Sequence, residues 1–424
     1  MASPSRLHPK PPTRTPQERL RRVLQGSESR KAYQVLPELR SDPRSWGIKV
    51  KFITKLCAHI AEDMRCYCED HRIADDYAHI CLRSPCPWEH AGAIARPRCV
   101  SHASEEAPLA ANMHLVVQRY IKPWTQPLRA SYSTMVVADE AVQRMHTQQT
   151  LRAICTTEVF ISHCWNELFA DFSSTLASKL DSETVVWVCS LGIDQNRNIG
   201  AEIGADLLGC PFALALGCAS RALLVTGPDV EPLSRVWCVL EAHLAFLWKK
   251  PYDMELPPSM NCELVLQIVH AILNGLDMRS CKASHAADKA RLLDMVSTCP
   301  GGIDALNENV RMVAAQAAEE AVIFRAAESG HCAVLSVASA ELLQTAVDAR
   351  GRTPAHFAAK GNWTAALEVL CARGASLMTQ ACGYNTSLHC HDVDVGAWMA
   401  IVRWIGVTLA RNRARTHASK HARR

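Results

Sequence analysis

Two short motifs in the middle of the chain carry residue types that can do chemistry. The first is Phe160-Ile161-Ser162-His163-Cys164-Trp165, and the second is Arg235-Val236-Trp237-Cys238-Val239-Leu240-Glu241. The first closes a β-branched and aromatic run, so its polar residues fall at a strand end, where open α/β sheets bind ligands. The second lies on a helix whose apolar stripe runs through Val236, Val239, Leu240, Leu244 and Leu247. Glu241 falls at the margin of that stripe, one turn from Trp237. A carboxyl half removed from water beside an indole face has a tunable pKa. Ser162 and His163 are neighbours on a strand, so their side chains diverge and make no nucleophile–base pair.

Other chemistries find no support. There is no G-x-x-x-x-G-K-[ST], no H-E-x-x-H and no G-x-S-x-G, and Gly192, Gly200 and Gly204 do not form G-x-G-x-x-G. A Cys/His-rich segment runs from Cys66 to His102 without one paired C-x2-C knuckle. A packed helical segment with incidental thiols is favoured there over structural zinc, which stays open. His389, Cys390 and His391 are adjacent and do not converge on one ion, so no metal site is assigned.

The elements that would position the two motifs follow from apolar periodicity. Glu158–Ile161 reads as a strand, and Leu168, Phe172, Leu176 and Leu180 share one helical face. TVVWVCSL and RALLVTG are unbroken apolar runs of strand length, PFALALGCA reads as a helix, and CELVLQIV reads as a further strand. Unbroken apolar strands alternating with amphipathic helices predict a parallel sheet covered on both faces. Upstream, KVKFITKLCAHIAEDM reads as a helix, the two prolines of IKPWTQP as an extended connector, and Asp139 to Thr150 as a helix.

Past Ser284 the chain turns to long Ala-rich helices, and then a repeat appears. Thr353-Pro354-Ala355-His356 recurs as Thr386-Ser387-Leu388-His389, an offset of 33 residues, and Ala326–Gly330 is a weaker earlier copy. That period and GRTPAHFAAKGNWTAALEVLCARGAS fit the ankyrin pattern. Thr353 is placed to cap a helix, Pro354 suits its first turn, and His356 has a structural hydrogen-bonding role. Ankyrin arrays recognise surfaces of protein partners through their loop tips and concave face. Arg350, Arg352, Asn362 and Trp363 are the candidate partner-binding residues.

Composition bounds the classes. The chain has 424 residues, 48% hydrophobic and 21% charged, which excludes wholesale disorder. No apolar run reaches a membrane span, and MASPSRLHPKPPTRTP has no secretory core, so a cytoplasmic location is expected, with a nuclear one open. Of nineteen cysteines many sit inside apolar runs (Cys155, Cys189, Cys218, Cys238 and Cys371), and they are read as reduced thiols in preference to a disulfide framework. Residues 1–31 and 410–424 each carry a net +6 against +4 overall, so two basic ends flank an acidic body. They read as solvated tails in preference to a nucleic-acid or anionic-membrane surface, because no aromatics are interleaved for base stacking.

The strand ending in Phe160–His163 and the helix opening R-x-W-C-x-x-E carry a family likeness. Residues 155–300, about a third of the chain, resemble a Toll/interleukin-1 receptor (TIR) domain, of the divergent SH-x-W and W-C-x-x-E protist type often joined to ankyrin repeats. The resemblance implies a flavodoxin-like parallel sheet and self-association. In members that cleave NAD+ it implies that Glu241 is the catalytic carboxylate, with Ser162, His163 and Trp165 at the mouth of the site and Trp237 beside the substrate. NAD+ would then be a substrate, and no cofactor is implied. The pattern departs from the family where His163 and Cys164 replace an aromatic residue and an arginine. The expected organisation is a flexible basic stretch over 1–45, a helical Cys/His-rich region over 46–150, a TIR-like α/β domain over 151–300, helices and ankyrin repeats over 301–408, and a basic tail over 409–424. The expected function is that of a signalling and interaction protein, with TIR-type NAD+ glycohydrolase as the alternative.

Overall fold

The computed structural model describes residues 42–61, 111–144, 155–197, 206, 208–227, 230–256, 262–283, 286–348 and 351–375. The expectations for Cys66 to His102, Arg350, the Thr386–His389 copy, the His389–His391 triplet, the basic tail and most of the N-terminal stretch lie outside these residues. Residues 42–45, expected to belong to a flexible stretch over 1–45, are structured. Asp42 accepts from the Arg44 amide and caps a short 3-10 helix, Pro43–Ser45.

Five strands hydrogen-bond in the order β1-β3-β2-β4-β5: β1 (Ile48–Lys49), β2 (Val159–Ser162), β3 (Val185–Val188), β4 (Arg221–Val225) and β5 (Tyr252–Glu255). β4 and β5 are parallel, with Ala222 opposite Tyr252 and Val225 opposite Glu255. β1 and β3 are antiparallel, with Ile48 opposite Val186. The sheet is therefore mixed, where an all-parallel one was expected. The extra strand is two residues long and runs straight into a helix over 50–61 (α1), whose period masks it in the sequence. Gly47 admits it: a side chain there would strike the Val185 side chain and come within 2.7 Å of the Cys155 carbonyl.

The contacts divide the chain into two units, and the boundary falls inside β2. One unit comprises residues up to Phe160 and Glu183–Ala219. Its core stacks Phe160 on Trp187 at 4.9 Å, with Phe212 of helix Pro211–Cys218 edge-on to Trp187. Here IKPWTQP is helical, where an extended connector was expected. A π-helical turn, Val117–Ile121, runs into helix Lys122–Thr125, which carries Pro123 in its first turn. The chain is already helical before Lys122, so the wide π-turn beside the proline is what accommodates its ring and its missing N–H. The helix that follows (α2) is Tyr132–Arg144, earlier than predicted. It presents Glu140 to Lys49, whose Nζ lies 2.9 Å from Oε1, with both residues buried.

The other unit comprises Ile161–Ser182 and the chain from Ser220 onward. Helix α3 (Phe169–Lys179) buries Phe172 and Leu176 as predicted. Helix α4 (Val236–Leu247) follows β4, and its stripe is buried except at Leu247, which is 53% exposed. CELVLQIV is helical, not a strand: α5 (Cys262–Asn274) buries Val265, Val269 and Leu273, four residues apart. The strand in this stretch is β5, which carries two acids and so lacked an apolar run. Arg221 Nε lies 2.8 Å from Asp253 and Lys179 Nζ 3.1 Å from Glu255.

After α6 (Ala286–Ser297), α7 (Gly302–Ser329) spans 28 residues and ends at Gly330, whose φ of 73° favours glycine. Helix pairs then stack. α7 packs on α10 (Pro354–Lys360), and α8 (Cys332–Val337) packs on α11 (Thr364–Ala372), with α9 (Ala340–Thr345) in the connection. Thr353 and His356 form the predicted cap. The Thr353 amide donates to His356 Nδ1 at 3.1 Å, and the His356 amide is bound by Thr353.

Candidate functional site

The chain leaves β2 through residues 163–168 and β4 through 226–235, and these two loops meet. Asn166 Nδ2 donates to both carboxylate oxygens of Glu231, at 2.9 and 2.8 Å. The ends of β2 and β4 therefore open on one side of the sheet. The second loop is tightly built. Val230, fully buried, holds a φ of 48° that a β-branched residue rarely adopts, a strain of about 1–3 kcal/mol. Arg235 is extended and pairs with Lys282: the Val236 amide donates to the Lys282 carbonyl at 3.0 Å, and the Lys282 amide to Ser234 at 2.8 Å. This anchors the first turn of α4 and fixes where its side chains aim.

Glu241 is thereby aimed at the end of β2. Ser162 Oγ donates to Glu241 Oε2 at 2.5 Å, and the two residues are 1% and 6% exposed. Glu241 was expected at the margin of the buried stripe and is instead wholly inside. Burial pushes its carboxyl up to about 8, with the Ser162 hydroxyl pulling the other way. At neutral pH it is mainly protonated. The neighbouring groups are polar and sealed. Cys238 Sγ donates to the His163 carbonyl at 3.5 Å. Tyr252, on β5, buries a hydroxyl with no hydrogen-bond partner, and burial together with the nearby Cys238 and Glu241 pushes its pKa well above the usual phenol range.

The remaining predicted residues divide. His163 is 6% exposed and its ring lies 4.9 Å from that of Phe172, so it packs in the interior instead of lining a mouth. Trp165 and Trp237 are half-buried, on the turn after β2 and the first turn of α4. The strand end and the tryptophan-bearing helix thus do come together, through Ser162 and Glu241. In the helix stack, Arg352 points inward: Nε and the amide reach Asp348, each at 2.7 Å, and its guanidinium lies 4.5 Å from the Phe357 ring centre. Asn362 is exposed and turns the chain between α10 and α11 with a φ of 58°. Trp363 is 44% exposed, but its Nε1 donates to the Glu328 carbonyl at 2.8 Å and its ring covers Gly330 and Gly361. Arg352 and Trp363 therefore first hold the stack together.

Sequence reasoning passed over Glu167 and Glu231. Both carboxylate oxygens of Glu167 are buried and meet no hydrogen-bond donor, and the charges of Asp171 and Glu231 act on it. Nothing local marks Glu167 in the sequence, since a turn glutamate before a helix reads as solvated. Among the described residues, no three His, Cys, Asp or Glu side chains converge as metal ligands, and no helix is long and apolar enough to cross a membrane. No family model matches the chain, and neither a curated protein nor a solved structure matches it.

Proposed function

We propose that this chain is a signalling and interaction protein, with a TIR-like α/β portion that self-associates and a helix stack that holds a protein partner. The observation that carries the reading is the regular stacking over 302–375. Ties bind each helix pair to the one before it: Trp363 Nε1 to Glu328, and Arg373 to the Ala338 carbonyl at 2.5 Å. Such a stack is a rigid platform built from nearest-neighbour contacts. Val337, 83% exposed, and Val347, 46% exposed, are apolar side chains that its own packing does not use. What supports the TIR-like reading is the strand order. With β1 set aside, β3-β2-β4-β5 is the flavodoxin-type order 2-1-3-4, which switches between β2 and β4.

A photo-crosslinking residue at position 337 in the full chain, expressed in its native cell, tests the platform. A discrete protein adduct absent from a crosslinker at exposed Met312 is expected, and equal labelling at the two positions overturns the reading. Sedimentation of the purified chain across a concentration series tests self-association.

The Ser162–Glu241 bond favours a second reading, TIR-type cleavage of NAD+. Glu241 stands at the switch point and would support the positive charge that grows on the ribose as nicotinamide leaves. Only the ionised carboxyl does this, so nicotinamide release should climb with pH up to about 8 and vanish in Glu241→Gln. A flat pH profile, or release that survives in Glu241→Gln, removes this reading.

A further inference from the structure

Glu167 stands out among the acids of the loops that follow β2 and β4, a half-buried residue whose two carboxylate oxygens are buried. Both of its oxygens are shut away from water, yet no N–H or O–H reaches either one. The charges of two more acids act on it, exposed Asp171 in the first turn of α3 and Glu231 of the 3-10 turn Glu231–Ser234. Glu231 is itself held in place, with both oxygens on the Asn166 amide and the Cys164 thiol hydrogen-bonded to it. The arrangement is thus a fixed carboxylate, a second carboxyl with all its lone pairs vacant, and a third acid beside them. Three acids repel when ionised, and a buried carboxyl without a donor forgoes its hydrogen bonds.

We propose that Glu167 and Glu231 form a seat for an organic nitrogen cation that carries N–H donors, a guanidinium or a primary ammonium. The donor geometry selects this class. Divalent metals need several oxygens converging at once, and no such convergence exists among the described residues. A guanidinium presents a fork that pairs with a carboxylate through two N–H bonds and keeps further donors for a second acceptor. Trp165, Asn166, Glu167 and Glu231 are all half-buried, so the two acids lie close to the surface. The site does not involve Glu241, and it stands or falls independently of NAD+ cleavage.

Binding would be linked to a proton. Burial first, and then the charges of Asp171 and Glu231, hold the Glu167 carboxyl well above its usual range. The arriving cation stabilises the ionised form, so the proton leaves to the buffer. Affinity should rise by up to about tenfold per pH unit below the group's pKa.

The test is calorimetric titration of the full chain with methylguanidinium, methylammonium and tetramethylammonium chlorides. Methylguanidinium and methylammonium should bind, with heats that differ between buffers of different ionisation enthalpy because protons are released. Tetramethylammonium, which has no N–H, should not bind. Glu167→Gln should weaken binding more than tenfold and remove the buffer dependence. Equal responses to all three cations, or unchanged binding by Glu167→Gln, would overturn the proposal. The comparison of the three cations on the unaltered chain decides the matter even if that variant fails to fold, since a tetramethylammonium response equal to that of methylguanidinium refutes it.

Discussion

The Lys49–Glu140 pair and the Ser162–Glu241 pair each bury a glutamate, but only the first glutamate meets a cation. Lys49 Nζ stands 2.9 Å from Glu140, whereas Glu241 has a hydroxyl at 2.5 Å. Asp253 and Glu255 follow the first pattern, with Arg221 and Lys179. Glu167 goes further than Glu241 and has neither cation nor donor. The difference separates two uses of a buried acid. A paired acid at a sheet edge or under a helix fixes how elements dock. At the ends of β2 and β4, Glu241 meets only a hydroxyl and Glu167 meets no donor, so neither has its charge balanced by a cation among the described residues.

The largest expected effect breaks the paired class. Lys49→Met leaves Glu140 buried without its cation, and this should lower stability by about 3–5 kcal/mol. Adding Glu140→Leu should recover most of that loss, because burying two apolar groups avoids desolvating two charges. Urea midpoints of the unit containing both residues, followed by hydrogen exchange, measure this. Failure of the double variant to recover would mean that the pair's attraction outweighs its desolvation.

The unpaired class should behave in the opposite way. Glu241 has a folded pKa of about 8, raised from its unfolded value, so its contribution is fully present below about pH 4.5 and is lost as pH rises through about 8. Glu241→Gln keeps an oxygen for Ser162 and cannot ionise. Above pH 8 it should be the more stable protein, by an amount on the order of a few kcal/mol, while the two proteins converge near pH 5. Urea midpoints across that range check it. A wild-type protein that is the more stable one at high pH would show that Glu241 has a cation and belongs with Glu140.

The contrast between these acids also explains what the sequence made legible. Apolar runs gave β2, β3, β4 and the helices α3 and α4, because each is set by local periodicity. The Thr353–His356 cap was legible because its hydrogen bonds lie within four residues. β1 and β5 were not. β1 is two residues long and depends on the missing side chain of Gly47. β5 alternates Tyr252 and Met254 with Asp253 and Glu255, whose partners Arg221 and Lys179 are far off in sequence. Glu241 was found from its place one turn after Trp237, but its complete burial was not, since that depends on what packs over α4. Glu167 was invisible for the same reason. Local pattern places an acid on an element, and tertiary packing alone decides whether it meets a cation, a hydroxyl or nothing.

The smallest expected effect tests whether burial, and not the mere presence of a lysine, sets the scale. Glu183 contacts the same two lysines as Glu140, with Lys51 Nζ at 2.5 Å and Lys49 Nζ at 3.2 Å, but its side chain is 58% exposed. The Lys51 hydrogen bond leads in holding its carboxyl below the usual range, against the opposing effect of burial. Its contribution is therefore present above the unfolded pKa and fades as pH falls through the lower folded one. Water and salt screen such a pair, so Glu183→Gln should cost less than about 1 kcal/mol at neutral pH and nothing in strong acid. Lys49 would still neutralise Glu140 in that variant. A loss as large as that of Lys49→Met would mean that the four charges act as one network, and Glu140 could then no longer be set against Glu241 as a separate buried acid.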